Sequence, residues 1–278
     1  MPGAGWPRRG LGRGSRFSPR TGYAYGVPER LSFDRVATIY DETRGLPARA
    51  LSRVLGVLVD ELRGKRVLEV GVGTGRFAVP LQKSGIQVVG IDISPAMVER
   101  GLAKGLKNVI FADAVRLPFP SKAFDVATTN HVLHLISEWR DVLREIARVT
   151  TESYFSIIGR SDGPELNREY HTLVEKQGFH WEPPGVHERK LTEILKPDLV
   201  IPVGPFTETA SADRAIAEIA RRDYTTQWEV PETLHREAVR ALREQWGGKE
   251  LRWSVTQEIT FWRVERLAGL STAPVQRP

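Results

Sequence analysis

The sequence predicts an α/β protein built on a doubly wound, mostly parallel sheet. Two observations carry that prediction. From about residue 31, short apolar runs alternate with helical patterns. A glycine-rich turn, GVGTG over residues 71–75, follows directly on the first of those runs. Short apolar runs between turn signals are typical of strands covered on both faces. Repeated strand–helix units then give a parallel sheet with right-handed crossovers.

The elements follow in order. Strands are expected at Arg66–Val70, Ile86–Ile93, Val109–Ala112, Phe124–Thr129 and Tyr154–Ile158. Ser94 and Pro95 read as an N-cap with proline at the first helical position. Val132, Leu135, Trp139, Val142, Leu143, Ile146 and Val149 keep one face, which predicts a helix over 132–149. After Gly159 the stretch PELNREYHTLVEKQGF reads as one more crossover helix. Leu199–Thr209 reads as a sixth strand and Leu251–Val264 as a long last one, which brings the expected sheet to seven strands. Between them lie helices at Ala212–Arg222 and Pro231–Trp246, the second stopped by Gly247 and Gly248. Two helices inserted before the last strand suggest a lid over the open end of the sheet.

Composition removes several function classes. The chain of 278 residues has no cysteine, which excludes disulfides, cysteine-ligated zinc, iron–sulfur clusters and thiol nucleophiles. No apolar run reaches the length of a membrane span. A reducing, cytoplasmic location fits these features. The net charge of +6 is uneven. Residues 1–28 hold Arg8, Arg9, Arg13, Arg16 and Arg20 and no acid, and the remainder is close to neutral. This Gly-, Pro- and Arg-rich arm cannot bury enough apolar surface to order itself, and it lacks the apolar core of a secretory signal. It is expected to be a disordered basic tail; an RNA-binding or targeting arm is the alternative.

Glycines at positions 71, 73 and 75 let the backbone turn sharply and approach a ligand at the carboxyl ends of the strands. A dinucleotide fold wants a third small residue at position 76, where this chain has Arg76. Asp92, at the end of the second strand, suits any nucleotide with a free ribose diol. Glu69 ahead of the turn and Asp113 at the end of the third strand add two acids. Glu69 would help receive a cation and Asp113 would accept an adenine amino proton, with Ile93 or Met97 covering the ring. A ligand with an adenosine, a cationic tail and no pyrophosphate is S-adenosylmethionine.

At this point EVGVGTG, GIDISPAM, FADAVRLPF and AFDVATTNHVLHLI, in that order, resemble the successive motifs of class I SAM-dependent methyltransferases. The resemblance is strong over roughly residues 32–160. It is closest to the small-molecule branch that includes the quinone-biosynthesis methyltransferases. SFDRVATIYDETRGLP, residues 32–47, is similar to that branch's N-terminal segment, which closes over the cofactor. The resemblance implies a seven-stranded Rossmann-like methyltransferase fold. It implies one domain over 29–270, with a SAM-binding half at 31–160, lid elements at 161–250, a final strand at 251–265 and a tail at 271–278. It implies that Glu69, Gly71, Gly73 and Gly75 form the methionine-side loop. Asp92 would hold the ribose, Ile93 and Met97 would lie against adenine, and Asp113 with Ala114 would meet its amino edge. Asn130 would bring its backbone to the methionine moiety, and Tyr40 and Arg44 would cap the cofactor. S-adenosylhomocysteine would be the product.

Methyl transfer from a sulfonium needs alignment more than acid–base help, so no fixed triad is expected. His131 and His134 follow the fourth strand and are the candidate bases, with a helix-start contact and core packing as the plainer roles. His171, His180, His187 and His235 show no metal-ligand spacing, so no metal site is expected. Trp181, Trp228, Trp246, Trp253 and Trp262 would line an apolar acceptor pocket or pack the core and lid. TTNHVL departs from the N/D-P-P-Y/F motif of amino-methylating nucleic-acid enzymes, and cytosine-C5 chemistry lacks its cysteine. A small-molecule acceptor is therefore favoured over nucleic acid. An RNA or protein methyltransferase using the basic arm, and a non-catalytic nucleotide-binding protein, are the alternatives. The sequence does not define an oligomeric state.

Overall fold

Seven strands form one sheet in the order β3-β2-β1-β4-β5-β7-β6. They are β1 (Arg66–Val70), β2 (Gln87–Asp92), β3 (Val109–Phe111), β4 (Phe124–Thr129), β5 (Thr150–Ser161), β6 (Leu199–Ser211) and β7 (Glu250–Arg263). Strands β1 to β5 pair in parallel, and β7 runs antiparallel to both β5 and β6. This computed structural model describes residues 33–37, 40, 41 and 46–270. The basic arm, Arg44 and the tail at 271–278 lie outside the described residues.

The parallel strands are buried on both faces, and the side chains alternate accordingly. Leu68, Ala127 and Tyr154 face one core, while Val67, Val126 and Phe155 face the other. The first core is covered by α4 (Trp139–Val149) and α9 (Val264–Ala268). The second is covered by α1 (Ala48–Glu61) and α2 (Ala78–Lys83). Helix α3 (Pro95–Ala103) begins as its sequence predicts: the Ser94 hydroxyl accepts the Met97 amide at 3.3 Å, with Pro95 at the first helical position. The strand order reverses between β1 and β4, so the carboxyl ends of these two strands flank the crevice where such sheets bind ligands.

A third core lies outside the sheet. Tyr170 and Val174 of α5 (Leu166–Glu175), Ile216 and Ile219 of α7 (Ala212–Ala220), and Ala238, Val239 and Leu242 of α8 (Glu232–Trp246) pack together. The β5–β7 ladder ends at Ser161 and Val255, whereas β6 and β7 go on pairing as far as Ser211 and Glu250. The inserted helices therefore spring from beyond the carboxyl ends of the parallel strands.

One expected helix is corrected. Residues 132–138 are not part of α4, which starts only at Trp139; Leu133–Leu135 is a single 3-10 turn. The reason is tertiary competition. The amides of Gly185 and Val186 donate to the carbonyls of His134 and Leu133, at 3.1 and 3.2 Å, and so occupy acceptors that a helix would use. A short helix that the sequence pattern did not disclose, α6 (Glu188–Ile194), follows that contact.

Candidate functional site

The turn after β1 is held from two sides. Gly71, Gly73 and Gly75 have φ of 74°, 51° and 73°, a region in which other residues are strained. A side chain at Gly71 would also collide with Val132, whose Cγ2 lies 2.2 Å from the position of an added Cβ. Gly75 packs against Val79 and Leu106. It thus takes the close-packing role that the dinucleotide pattern would give to position 76. Arg76 instead lies 5.0 Å over the Phe77 ring.

Asp92 ends β2 and fixes this turn. One carboxylate oxygen accepts the Gly73 amide at 2.7 Å and the other accepts the Ser94 amide at 2.8 Å. An ionised carboxylate has about four acceptor sites, so the amide bonds of this turn leave part of its acceptor capacity for a ligand hydroxyl. Burial raises its pKa, against the pull of the Ser94, Gly73 and Ile93 amides. Met97 is buried, with its methyl beside Gly73; Ile93 is half-buried on the same connection. Asp113 follows β3, where its carboxylate accepts the Val115 amide at 3.1 Å and turns the chain past the buried Ala114.

Glu69 lies almost wholly inside the protein, at 3% exposure, and its Oε2 has no hydrogen-bond partner. Burial pushes its pKa up to about 8; the Arg76 charge and the Ala78 amide oppose the shift. The carboxyl is therefore mostly neutral at pH 7. An orphaned buried oxygen beside the glycine turn is a site that wants a cationic or hydrogen-donating partner.

At the end of β4, Asn130 is buried. Its side chain is committed to the strands, donating to Thr128 Oγ1 and accepting the Ile157 amide, both at 3.3 Å. His131 is exposed and takes φ 60°. His134 differs: its ring is buried and stacks on His187, with centroids 4.6 Å apart and planes 14° apart. Glu188, also buried, accepts the Val132 amide at 3.4 Å. His134, His187 and Glu188 bring three potential metal-ligating atoms within 4.8 Å of one another, a grouping hidden from any argument on spacing along the chain.

The N-terminal segment reaches this site through acids that the sequence reading passed over. Asp41 accepts the Thr74 hydroxyl at 2.6 Å and Lys104 Nζ at 2.8 Å. Asp34 accepts the Ser94 hydroxyl at 2.5 Å and the Ala96 amide at 3.2 Å. Tyr40 packs edge-on against Phe33 at 5.8 Å, and Phe33 meets Trp228 of the inserted region at 6.2 Å. Of the tryptophans, Trp228 alone is seen against this segment among the described residues. Trp262 is core, stacked on Tyr154; Trp246 bonds Glu169, Trp253 packs on Gly163 and Trp181 stacks on His171.

Residues 68–154, which contain all of these strand-end loops, match the family model described as a methyltransferase domain. The chain belongs to the class I SAM-dependent methyltransferase family. Among its relatives in this family is a demethylmenaquinone methyltransferase of Renibacterium salmoninarum. It is 34% identical over 123 residues, covering 42% of this chain and 52% of that protein. An uncharacterised protein of Methanocaldococcus jannaschii is 30% identical over 165 residues, covering 59% of this chain and 78% of that one. The chain spans about half the length of the demethylmenaquinone methyltransferases it matches. A solved structure of a candidate type II methyltransferase from Anaeromyxobacter dehalogenans shares the fold. It has TM-score 0.52 and 21% identity, covering 76% of this chain and 96% of that one. Among the described residues of this methyltransferase-family chain, no helix is long and apolar enough to cross a membrane.

Proposed function

We propose that this chain transfers the methyl group of S-adenosylmethionine to a small-molecule acceptor. The observation that carries the proposal is the clamp of Asp92 on the Gly73 and Ser94 amides, which fixes a carboxylate with remaining acceptor capacity for a ribose hydroxyl beside the turn. The orphaned Glu69 oxygen supports the cationic half of the same ligand.

In this reading Glu69 and the backbone of Gly71, Gly73 and Gly75 receive the methionine end, together with the Asn130 backbone. Asp92 orients the ribose. Ile93 and Met97 flank the adenine, and Asp113 with Ala114 meets its amino edge. Tyr40 and Arg44 cap the ligand from the N-terminal segment, which Asp41 ties to the turn through Thr74. S-adenosylmethionine supplies a methyl on a positively charged sulfur whose departure leaves a neutral thioether. The protein's task is then to align the acceptor in line and to exclude water. Of the two histidines, we assign the exposed His131 to take a proton from an acceptor hydroxyl where one must be lost, because the ring of His134 is buried and stacked on His187.

The acceptor reaches the site beside Phe33, Tyr40 and Trp228, an aromatic group that suits a planar, apolar molecule. Relatives named demethylmenaquinone methyltransferase make a reduced naphthoquinone ring the first acceptor to try. The test is transfer of labelled methyl from S-adenosylmethionine to a panel holding such a ring, a metabolite extract and total RNA. Label in a small organic-soluble product is expected. Label confined to RNA or protein would overturn the small-molecule reading.

A further inference from the structure

A cluster of polar side chains lies where a later segment faces the loop after β4. We propose that His134, His187 and Glu188 form a binding site for a divalent transition-metal ion of the zinc class. Two imidazole nitrogens and one carboxylate oxygen are a donor set that suits zinc, cobalt and nickel rather than magnesium or calcium. Their ligating atoms already lie within 4.8 Å of one another, and two of the three residues are buried.

The backbone under the cluster is built to hold it. His134 lies on the turn after β4, and His187 and Glu188 lie more than fifty residues later at the start of α6. Two hydrogen bonds fasten these segments together, from Gly185 to the His134 carbonyl and from Val186 to the Leu133 carbonyl. The approach is so close that a Cβ at Gly185 would lie 1.9 Å from the Leu133 oxygen. Only glycine fits there. Backbone amides of the facing loop, Val132 among them, hold the Glu188 carboxylate, and one of its oxygens lies within 4.8 Å of a ring nitrogen of each histidine. Metal-binding carboxylates are commonly fixed in this way by a hydrogen bond from behind.

The stacked rings define what must move. Two parallel imidazoles cannot both point an in-plane lone pair at one ion. Ligands about 2.0–2.1 Å from a tetrahedral zinc lie roughly 3.4 Å apart. His187 is exposed and caps α6 by its backbone geometry alone, so its side chain is the one able to turn and close the site. Three protein ligands leave a fourth position for water or for an oxygen of another molecule.

The test reads metal alone. Tag-free, full-length protein is titrated with cobalt(II), followed by its visible absorption, and zinc is added in competition. A saturable single equivalent that zinc displaces is expected. His187→Ala, an exposed change that leaves the fold intact, is expected to weaken binding at least tenfold, and Glu188→Gln to do likewise. His131→Ala, the neighbouring exposed histidine, is expected to leave it unchanged. Absence of saturable binding, equal affinity in His187→Ala, or loss of binding in His131→Ala would overturn the site. None of these readouts depends on S-adenosylmethionine, so failure here and failure of the methyl-transfer reading are separable.

Discussion

The two halves of the chain build their functional surfaces in opposite ways. In the half before Gly159, each candidate ligand residue ends a strand or opens the next turn, so sequence order and spatial order agree. Glu69, Asp92, Asp113 and Asn130 stand at successive strand ends of one sheet. The half after it meets distant segments of the first. Phe33 touches Trp228, and His134 stacks on His187. The second half also has its own core around Tyr170, Ile216 and Leu242, away from the sheet. The candidate ligand residues of the first half are specified locally, and the proposed cover in the second is specified by packing.

That contrast can be broken at the turn. Gly71→Ala must adopt φ near 74° and clear Val132. It is expected to cost about 1–3 kcal/mol of stability, and to weaken S-adenosylhomocysteine binding further. Thermal unfolding and calorimetry read both effects. Pairing it with Val132→Ala should recover part of the loss, because the clash disappears and the backbone strain remains. Full recovery would show that φ at this position is unimportant.

Glu69 gives the next effect, and it is a pH effect. Its folded pKa of about 8 lies above the ordinary value of 4.5. A raised carboxyl makes the folded state hold the proton more tightly than the unfolded chain does. Its contribution to stability is therefore complete below about pH 4.5 and is lost as pH rises through 8. Glu69→Gln should flatten that decline in a denaturation series from pH 5 to 9. An unchanged slope would mean that another group titrates.

A smaller change is expected at Asp41. Burial alone would raise its pKa, but the bonds from Lys104 and Thr74 outweigh it and the net shift is downward. A lowered acid contributes stability above its unfolded value, and that contribution is lost only as pH falls through the folded one. The tie to Thr74 therefore holds at any pH where an ordinary aspartate is ionised. Asp41→Asn is expected to weaken S-adenosylhomocysteine binding severalfold while the unfolding midpoint moves little. The smallest effect belongs to the cover. Tyr170 and His235 Nδ1 share a hydrogen bond of 2.7 Å inside the third core. Tyr170→Phe should cost about 1 kcal/mol, with cofactor affinity unchanged. Equal damage to cofactor binding would show that the two halves are not separable.

The same contrast explains what the sequence reveals. Strands β1 and β4 have the predicted limits, because runs buried on both faces and ended by turn residues carry their own boundaries. Asp92 is legible for the same reason, as an acid closing an apolar run. The stretch from Val132 to Glu138 has the periodicity of a helix and is not one. Its carbonyls are taken by Gly185 and Val186, a competition that no local pattern records. Helix α6 is only one or two turns long and has no side-chain cap to announce it. Asp34 and Asp41 belong to no pattern along the chain, because their partners Ser94 and Thr74 meet them only in three dimensions. The sheet and the turn are therefore readable from spacing, whereas the cover and the histidine cluster need the fold.

The central claim is that the turn after β1 and the acid after β2 together bind S-adenosylmethionine. Its most direct test is an equilibrium titration of wild type and Asp92→Ala with S-adenosylhomocysteine and with NAD. Saturable binding of S-adenosylhomocysteine by the wild type, at least a hundredfold weaker in Asp92→Ala, and no binding of NAD are predicted. Tight NAD binding, or S-adenosylhomocysteine binding indifferent to Asp92→Ala, would contradict the account.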